Sequence, residues 1–445
     1  MRKGKRWLAA AVSAAMIVQS LASVGPVYAA DDGVSIADTF TDSSFRSYVS
    51  SNFDTDSNGY LSDAEISNVT SIDVSKCSPA ISSLNGVELF TNLSKLDCNE
   101  QSIRNLDIEN LENLEYIDVS SNRIDSLTLP VSAEKLTYLD ISGNKITSLT
   151  SLADYNNLVL LNANSTNLSS IDVSNMKGLK VLGVSGTTIS TLDLGSNMEL
   201  TTLYCDSMRS LPVLDVSGHE KLKNLYCAGA KSDSGVVVRS SITKLDVSGD
   251  IVLGSLDCSN SYVAEVNIDN TPALTTLDCS NTRLTSIDVS KNTSLSYLDV
   301  SSNVLGAVDF TANTALRELY VKDTGINKLD VSTLTNLVNL DASSNSLAEL
   351  DIASNSLLEK LYISDNNIQG IKLDGHPDLK ELEIDNNNLV AIDISVCPKL
   401  YGDDGVFSCS GNSRDITLDT TNYDYDFSDF SKVYGLHKAW YDYEL

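Results

Sequence analysis

Histidine is nearly missing from this chain. Only His219, His376 and His437 occur among 445 residues, each in what reads as an exposed turn or tail. They allow no Ser/His/Asp or Cys/His arrangement in register, and phosphate-binding, dinucleotide and zinc motifs are absent. The expectation is a protein that is not an enzyme. Basic residues are also scarce: 31 Lys and Arg stand against 60 Asp and Glu, a formal charge of −29. A polyanion is not drawn to nucleic acid or to anionic membranes, which leaves cationic partners and divalent metals. Long apolar runs are lacking too. After residue 29 none approaches the roughly 18 residues needed to span a bilayer, so no membrane insertion is expected.

What is present begins with a leader. "MRKGKR" is basic, "WLAAAVSAAMIV" is apolar, and "VYAA" offers small residues, with Val27 and Ala29 at the −3 and −1 positions. Residues 1–29 read as a signal peptide, with the mature chain expected to start at Ala30 or Asp31, secreted and soluble. No Cys sits at the cleavage point, which argues against a lipoprotein.

The body of the chain repeats. Leucines recur from Leu93 to Leu379 at intervals of mostly 21 residues, a few of 22 and one of 31. Units such as "LSYLDVSSNVLGAVDFTANTA" (295–315) follow the L-x-x-L-x-L-x-x-N-x-L spacing of leucine-rich repeats. Positions 1, 4, 6 and 11 are apolar (Leu295, Leu298, Val300, Leu305), and the alternation at 4 and 6 marks a short strand with one buried face. Position 9 is often Asn, whose amide can bond backbone where the chain leaves the strand. A second alternating piece at positions 13–17 makes the return side extended rather than helical. The predicted fold is a mostly β repeat solenoid, a leucine-rich-repeat horseshoe of about 15 rungs with a parallel sheet on its concave face. It is divided into a helical N-terminal cap over 30–68, repeats over 69–400, and a C-terminal cap or tail over 401–445. Five of the eight cysteines, Cys98, Cys205, Cys227, Cys258 and Cys279, fall at position 6 and read as small buried hydrophobes. Cys77, Cys397 and Cys409 fall outside that column, and a Cys397–Cys409 bridge is left open.

"FTNLSKLDCNEQSIRNLDIENLENLEYIDVSSNRI" (90–124) and units of the "LDCSN" style resemble the secreted leucine-rich-repeat proteins of Gram-positive bacteria, of the internalin-like broad class. The likeness covers roughly residues 40–430. It implies protein recognition at or outside the cell surface and a short cap before the repeats, for which 45–75 is suited. The chain carries no cell-wall sorting motif, which puts covalent attachment in doubt and leaves non-covalent association with the surface open.

One stretch stands apart. "DTDSNGYLSDAE" (54–65) fits the twelve-residue loop that wraps Ca2+ in oxygen. Asp54, Asp56 and Asn58 supply side-chain oxygens, Gly59 allows the sharp turn, Tyr60 offers its carbonyl, Ser62 acts directly or through water, and Glu65 closes the site. A single loop with millimolar-range affinity outside the cell reads as a structural fastener rather than a sensor.

Strand positions 2, 3, 5 and 7 face the concave side. Column 5 is mostly acidic and column 15 likewise; like charges one rung apart repel by about 0.9 kcal/mol in bulk water. Adjacent Ser and Thr hydroxyls or loosely held cations must relieve that repulsion. Tyr116, Tyr138, Leu160 and Val181 follow one another in column 3, and Tyr204 and Tyr226 continue in column 5. Beside them lies the only large insertion, "AGAKSDSGVVVRSS" (228–241), with Lys231 and Arg239. Contiguous apolar and tyrosine surface next to a loop marks a partner site. Three readings remain: a protein-recognition module, a glycan- or cell-wall-binding protein, and a calcium-dependent matrix or assembly protein.

Overall fold

The computed structural model describes residues 33–412, apart from 150, 151, 153, 232, 233, 402 and 403, together with 417–418 and 433–434. The expected signal peptide, His437 and most of the aromatic tail lie outside the described residues.

Each repeat contributes one three-residue strand whose middle residue points inward. Leu295, Leu298 and Val300 are fully buried, while Tyr297 and Asp299 on either side of Leu298 are half-exposed. Because every unit places its leucine at the same step, the strands pair in parallel and in register: Leu203, Leu225, Leu256, Leu277 and Leu298 stand one above another. Among the described residues seventeen strands form this one sheet. Among those residues Ser71–Asp73 pairs only with Lys95–Asp97 at one end and Val433–Tyr434 only with Val406–Ser408 at the other, so the two ends do not pair with each other. The stack thus runs on past residue 400, through Val406–Ser408 on Glu381–Glu383. The molecule is a parallel β-solenoid of about 16 turns with repeats of about 21 residues. Burying each inward leucine is worth about 1.5–3 kcal/mol, and no single unit buries one without neighbours.

Leaving the strand requires a reversal at position 8. Glu100, Ser121, Ser165, Asn260, Asn281, Ser302, Asp323 and Asp365 all take positive φ there, between 51° and 57°. Such a conformation costs an L-residue about 1–2 kcal/mol, so the turn needs compensation. Position 9 supplies it. Asn303 Nδ2 donates to the Cys279 and Val300 carbonyls, both at 2.9 Å, and its Oδ1 accepts from Leu284 N at 3.0 Å. One amide therefore ties two adjacent turns together at three points. Where Asn is missing, Thr166, Thr187 and Thr324 donate to the carbonyl three residues back.

The return side is extended, as expected. Its short pieces pair as strands only locally, for instance Val213–Asp215, Lys244–Asp246 and Glu265–Asn267. A second inward column at position 19 was not read from the sequence. Asn197, Asn292, Asn313 and Asn355 are fully buried there and donate to carbonyls of the preceding turn. His219 and His376 belong to the same column, which corrects their reading as exposed turn residues. Nδ1 of His219 lies 2.9 Å from the Val216 carbonyl and its Nε2 3.2 Å from that of Leu194. The return turn stacks its carbonyls inward, where side-chain donors meet them, the Thr271 hydroxyl among them at 2.6 Å from the Ile268 carbonyl.

The N-terminal cap is three short helices, α1 (Ile36–Thr39), α2 (Ser43–Asn52) and α3 (Asp63–Asn68). Asp42 caps α2 by accepting from Ser44 N and Phe45 N, and its other oxygen accepts from Ser82 N at 2.8 Å, fastening the cap to the first turn. Phe40, Phe45, Phe53 and Phe90 pack ring against ring over the first rung. Gly86, at φ +98°, lies under the Phe40 ring, where a Cβ would come within 2.6 Å.

Cys98, Cys205, Cys227, Cys258 and Cys279 are fully buried. Four of them occupy consecutive rungs, and Cys258 Sγ lies 3.3 Å from Cys279 Sγ. Cys397 and Cys409 are both free thiols, so no bridge joins them.

Replacing Asn303 with Leu would strand the Val300 carbonyl and the Leu284 N–H in the core, while the Cys279 carbonyl keeps the Thr282 hydroxyl. We expect a loss of about 3 kcal/mol, read as a lower urea midpoint with unchanged slope; a neutral substitution would remove the amide column from the account of stability.

Candidate functional site

The cation loop folds on its own backbone. Asp54 is nearly buried, with Oδ1 accepting from Asn58 N at 3.1 Å and Oδ2 from Gly59 N at 3.0 Å. Asn58 Nδ2 donates to Asp56 Oδ2 at 3.0 Å, and its Oδ1 accepts from Tyr60 N at 2.7 Å. Ser62 caps α3 in a reciprocal box with Glu65, donating from N and Oγ to Oε2, each at 2.9 Å. Carboxylate oxygens of Asp54, Asp56 and Glu65 lie within 4.8 Å of one another. Burial raises the Glu65 carboxyl, but hydrogen bonds from Thr55 and Ser62 outweigh it and hold it at about 2. Three like charges converge in an all-oxygen set, which suits a hard divalent cation. Tyr60–Leu61 pairs antiparallel with Val34–Ser35, so a short strand braces the far side of the loop.

The sheet face expected to be concave brings six of the eight sequence-predicted contact residues together. Tyr138, Leu160 and Val181 are neighbours in column 3, as are Asn162, Gly183, Tyr204 and Tyr226 in column 5. Tyr116 and Tyr138 stack at 4.3 Å with planes 10° apart, and Tyr204 and Tyr226 at 5.1 Å and 9°. The two pairs are offset diagonally across the sheet. Between them Gly183 leaves room filled by the Asn162 and Asn164 amides, which a Cβ would meet at 2.8 Å. Lys95 Nζ lies over the Tyr116 ring, 5.1 Å from its centre. Burial and neighbouring charge push the Tyr138 hydroxyl up to about 12.

Lys231 and Arg239 are placed differently. The insertion is a hairpin, Ala230–Lys231 against Val237–Val238, with Lys231 exposed. Arg239 is bound into its own solenoid: Nη1 donates to the Ser261 carbonyl at 2.8 Å and to the Asn281 carbonyl, and Nη2 to Asn281 Oδ1. Its guanidinium and that of Arg283 also lie over Tyr262, a contact the repeat spacing gave no hint of.

The acidic columns differ in how their charge is met. On the return side, Asp172, Asp288, Asp309 and Asp330 accept from the hydroxyl and amide two residues on, which holds each below the usual carboxylate range. On the sheet face burial dominates. Burial and the charges of Asp257 and Asp299 push Asp278 up to about 7, and burial pushes Asp206 to about 6.

A parallel solenoid with these turns defines a class, and the sequence comparisons agree with it. Family models described as leucine-rich repeats match residues 112–154 and 291–309. The chain is a leucine-rich-repeat protein. Among solved structures it is similar to the functional domain of InlJ from Listeria monocytogenes, described as including a cysteine ladder: 28% identity, 88% of this chain and 78% of that one, TM-score 0.69. It also shares its fold with a leucine-rich-repeat protein of Leptospira interrogans, at 20% identity over 74% of this chain and 92% of that one, TM-score 0.56. The plant peptide hormone receptor RGFR1, in complex with RGF2, matches at 19% identity over 75% of this chain and 64% of its own, TM-score 0.52. No curated protein sequence matches. No helix among the described residues is long and apolar enough to cross a membrane.

The raised aspartates set a pH dependence. A carboxyl near 7 when folded and about 3.9 when unfolded takes up a proton on folding between those values, so its contribution is fully present below about 4 and lost as pH rises to 7. The melting temperature should therefore be higher at pH 5 than at pH 8, and Asp278→Asn should narrow that gap. A larger gap in the variant would show that other groups control it.

Proposed function

We propose that this is an exported, non-catalytic recognition protein of the internalin-like type, which binds a protein partner through the exposed face of its long sheet. The observation that carries this reading is the pair of stacked tyrosine dimers, with Leu160 and Val181 between them. Large rigid rings on a flat strand face give contact area at low entropic cost, and such residues dominate binding energy at interfaces. Similarity to InlJ of Listeria monocytogenes, together with the internalin-like character of the repeats, supports a role at or beyond the cell surface. The stacked rings equally favour a glycan, which is the second reading.

Ca2+ held by Asp54, Asp56, Asn58, Ser62 and Glu65, with the Tyr60 carbonyl, fits as a fastener. The loop joins α2 to α3, and that cap covers the first rung. At ten times its Kd an ion binding only the folded state adds about 1.4 kcal/mol.

Two outcomes are expected. Tyr138→Ala with Tyr204→Ala should weaken a partner captured from cell-surface extracts by about a hundredfold or more, with glycan-array binding unaffected; undiminished capture sinks the assignment, and loss on the array instead selects the glycan. Asp54→Ala should lower the melting temperature more in Ca2+ than in the chelated protein, where it removes only the hydrogen bonds from Asn58 and Gly59 N. An equal loss in both means no bound ion, and calorimetry finding many Ca2+ sites rather than one would favour the matrix reading.

A further inference from the structure

Two places on the long sheet present the same outward residues, and one of them already holds a cation. The rungs 71–73, 95–97 and 116–118 read SID, KLD and YID; the rungs 255–257, 276–278 and 297–299 read SLD, TLD and YLD. The middle residue of every triplet is buried, and the outer two line the open face. In-register pairing stacks Ser71, Lys95 and Tyr116 in one column and Asp73, Asp97 and Asp118 in the next. It stacks Ser255, Thr276 and Tyr297 beside Asp257, Asp278 and Asp299 in the same arrangement. Of the six outward positions, only one differs: Lys95 in the first cup is Thr276 in the second.

In the first cup Lys95 Nζ lies 3.5 Å from Asp97 Oδ2, 3.8 Å from Asp73 Oδ2 and 5.1 Å from the centre of the Tyr116 ring. The carboxylates keep their other oxygen for their own turn, as Asp118 Oδ1 does in accepting from Ser120 N at 3.0 Å. The second cup repeats that division. Oδ1 of Asp257, Asp278 and Asp299 accepts from Ser259, Ser280 and Ser301 N at 3.0, 2.9 and 2.9 Å. Among the described residues no Lys or Arg forms an ion pair with any of the three. Tyr297 closes one side and packs on Tyr320 at 5.5 Å. Like charges on adjacent rungs therefore stand half-buried beside Tyr297, the counterpart of the Tyr116 ring that Lys95 covers, and an aromatic ring attracts an organic cation.

We propose that Asp257, Asp278 and Asp299, with Tyr297, form a receptor for a lysine ammonium on a protein partner, in the place that Lys95 fills in the duplicate cup. This rests on the sheet face being the recognition surface, and it adds the chemistry of one contact. An ammonium is favoured over a metal ion because Lys95 seats one on Asp73, Asp97 and Tyr116, the counterparts of Asp257, Asp278 and Tyr297.

The test titrates the full chain, at low ionic strength, with an eight-residue peptide of alternating lysine and glycine and with its acetylated form. The wild type should bind one unmodified peptide at this cup and ignore the acetylated one. Thr276→Lys places the internal cation in the second cup and should cost at least tenfold in affinity. Thr314→Lys, at an exposed return-side position, adds the same charge elsewhere and should change affinity by less than twofold. Lys95→Thr should empty the first cup and raise the stoichiometry from one to two, which decides the matter even if Thr276→Lys does not fold. Equal losses in the two lysine variants, equal binding of the acetylated peptide, or unchanged stoichiometry in Lys95→Thr would each overturn the proposal. So would displacement by Ca2+ well beyond that by sodium at matched ionic strength. Tyr138→Ala with Tyr204→Ala leaves this cup intact, so failure of the recognition reading and failure of the cup show up separately.

Discussion

No unit of this protein can bury its own leucine. Each 21-residue turn offers one inward apolar edge and covers the next, so stability lies in the contact between turns rather than within them. The strands are only three residues long because that is the shortest piece that places one leucine inside and two residues outside. The rest follows from stacking: parallel pairing in register, amide columns at fixed heights, and outward residues sorted into columns. Function inherits this order, since anything displayed on the sheet is displayed at a constant rung spacing of about 4.8 Å.

The amino-acid sequence disclosed what was periodic. Leucine spacing gave the solenoid, the position-9 asparagines gave the turn that Asn303 shows, and position 6 explained the buried thiols. What it hid was whatever depended on the third dimension within a turn. His219 and His376 sit in stretches, "SGHEK" and "DGHPD", that look like solvated loops, yet their rings are buried because the return turn directs carbonyls inward. Arg239 looked like a free cation on an insertion, and its contacts to Ser261 and Asn281 come from chain that is distant in sequence.

The candidate sites divide in the same way. The loop at 54–65 was legible because its candidate ligands fall within twelve residues, and the convergence of Asp54, Asp56 and Glu65 agrees with the motif. The tyrosine pairs were legible as columns but not as parallel stacks, since ring planes are set by side-chain torsions that no periodicity encodes. The likeness between the two Asp–Tyr cups is plain in the letters once the strands are known, and invisible before, because 184 residues separate Asp73 from Asp257.

The insertion has a further consequence, for how the chain finds its fold. Nearly identical units that stack in register can also stack one unit out of step, with every leucine still covered, and such slipped forms are traps for a repeat protein. The 31-residue turn does not fit another turn's place, and Arg239 reaches across two rungs to Asn281, 42 residues on. A chain assembled one unit out of step loses that reach. The hairpin at 228–241 thus serves as an index mark, fixing which turn is which in a molecule whose turns are otherwise almost interchangeable.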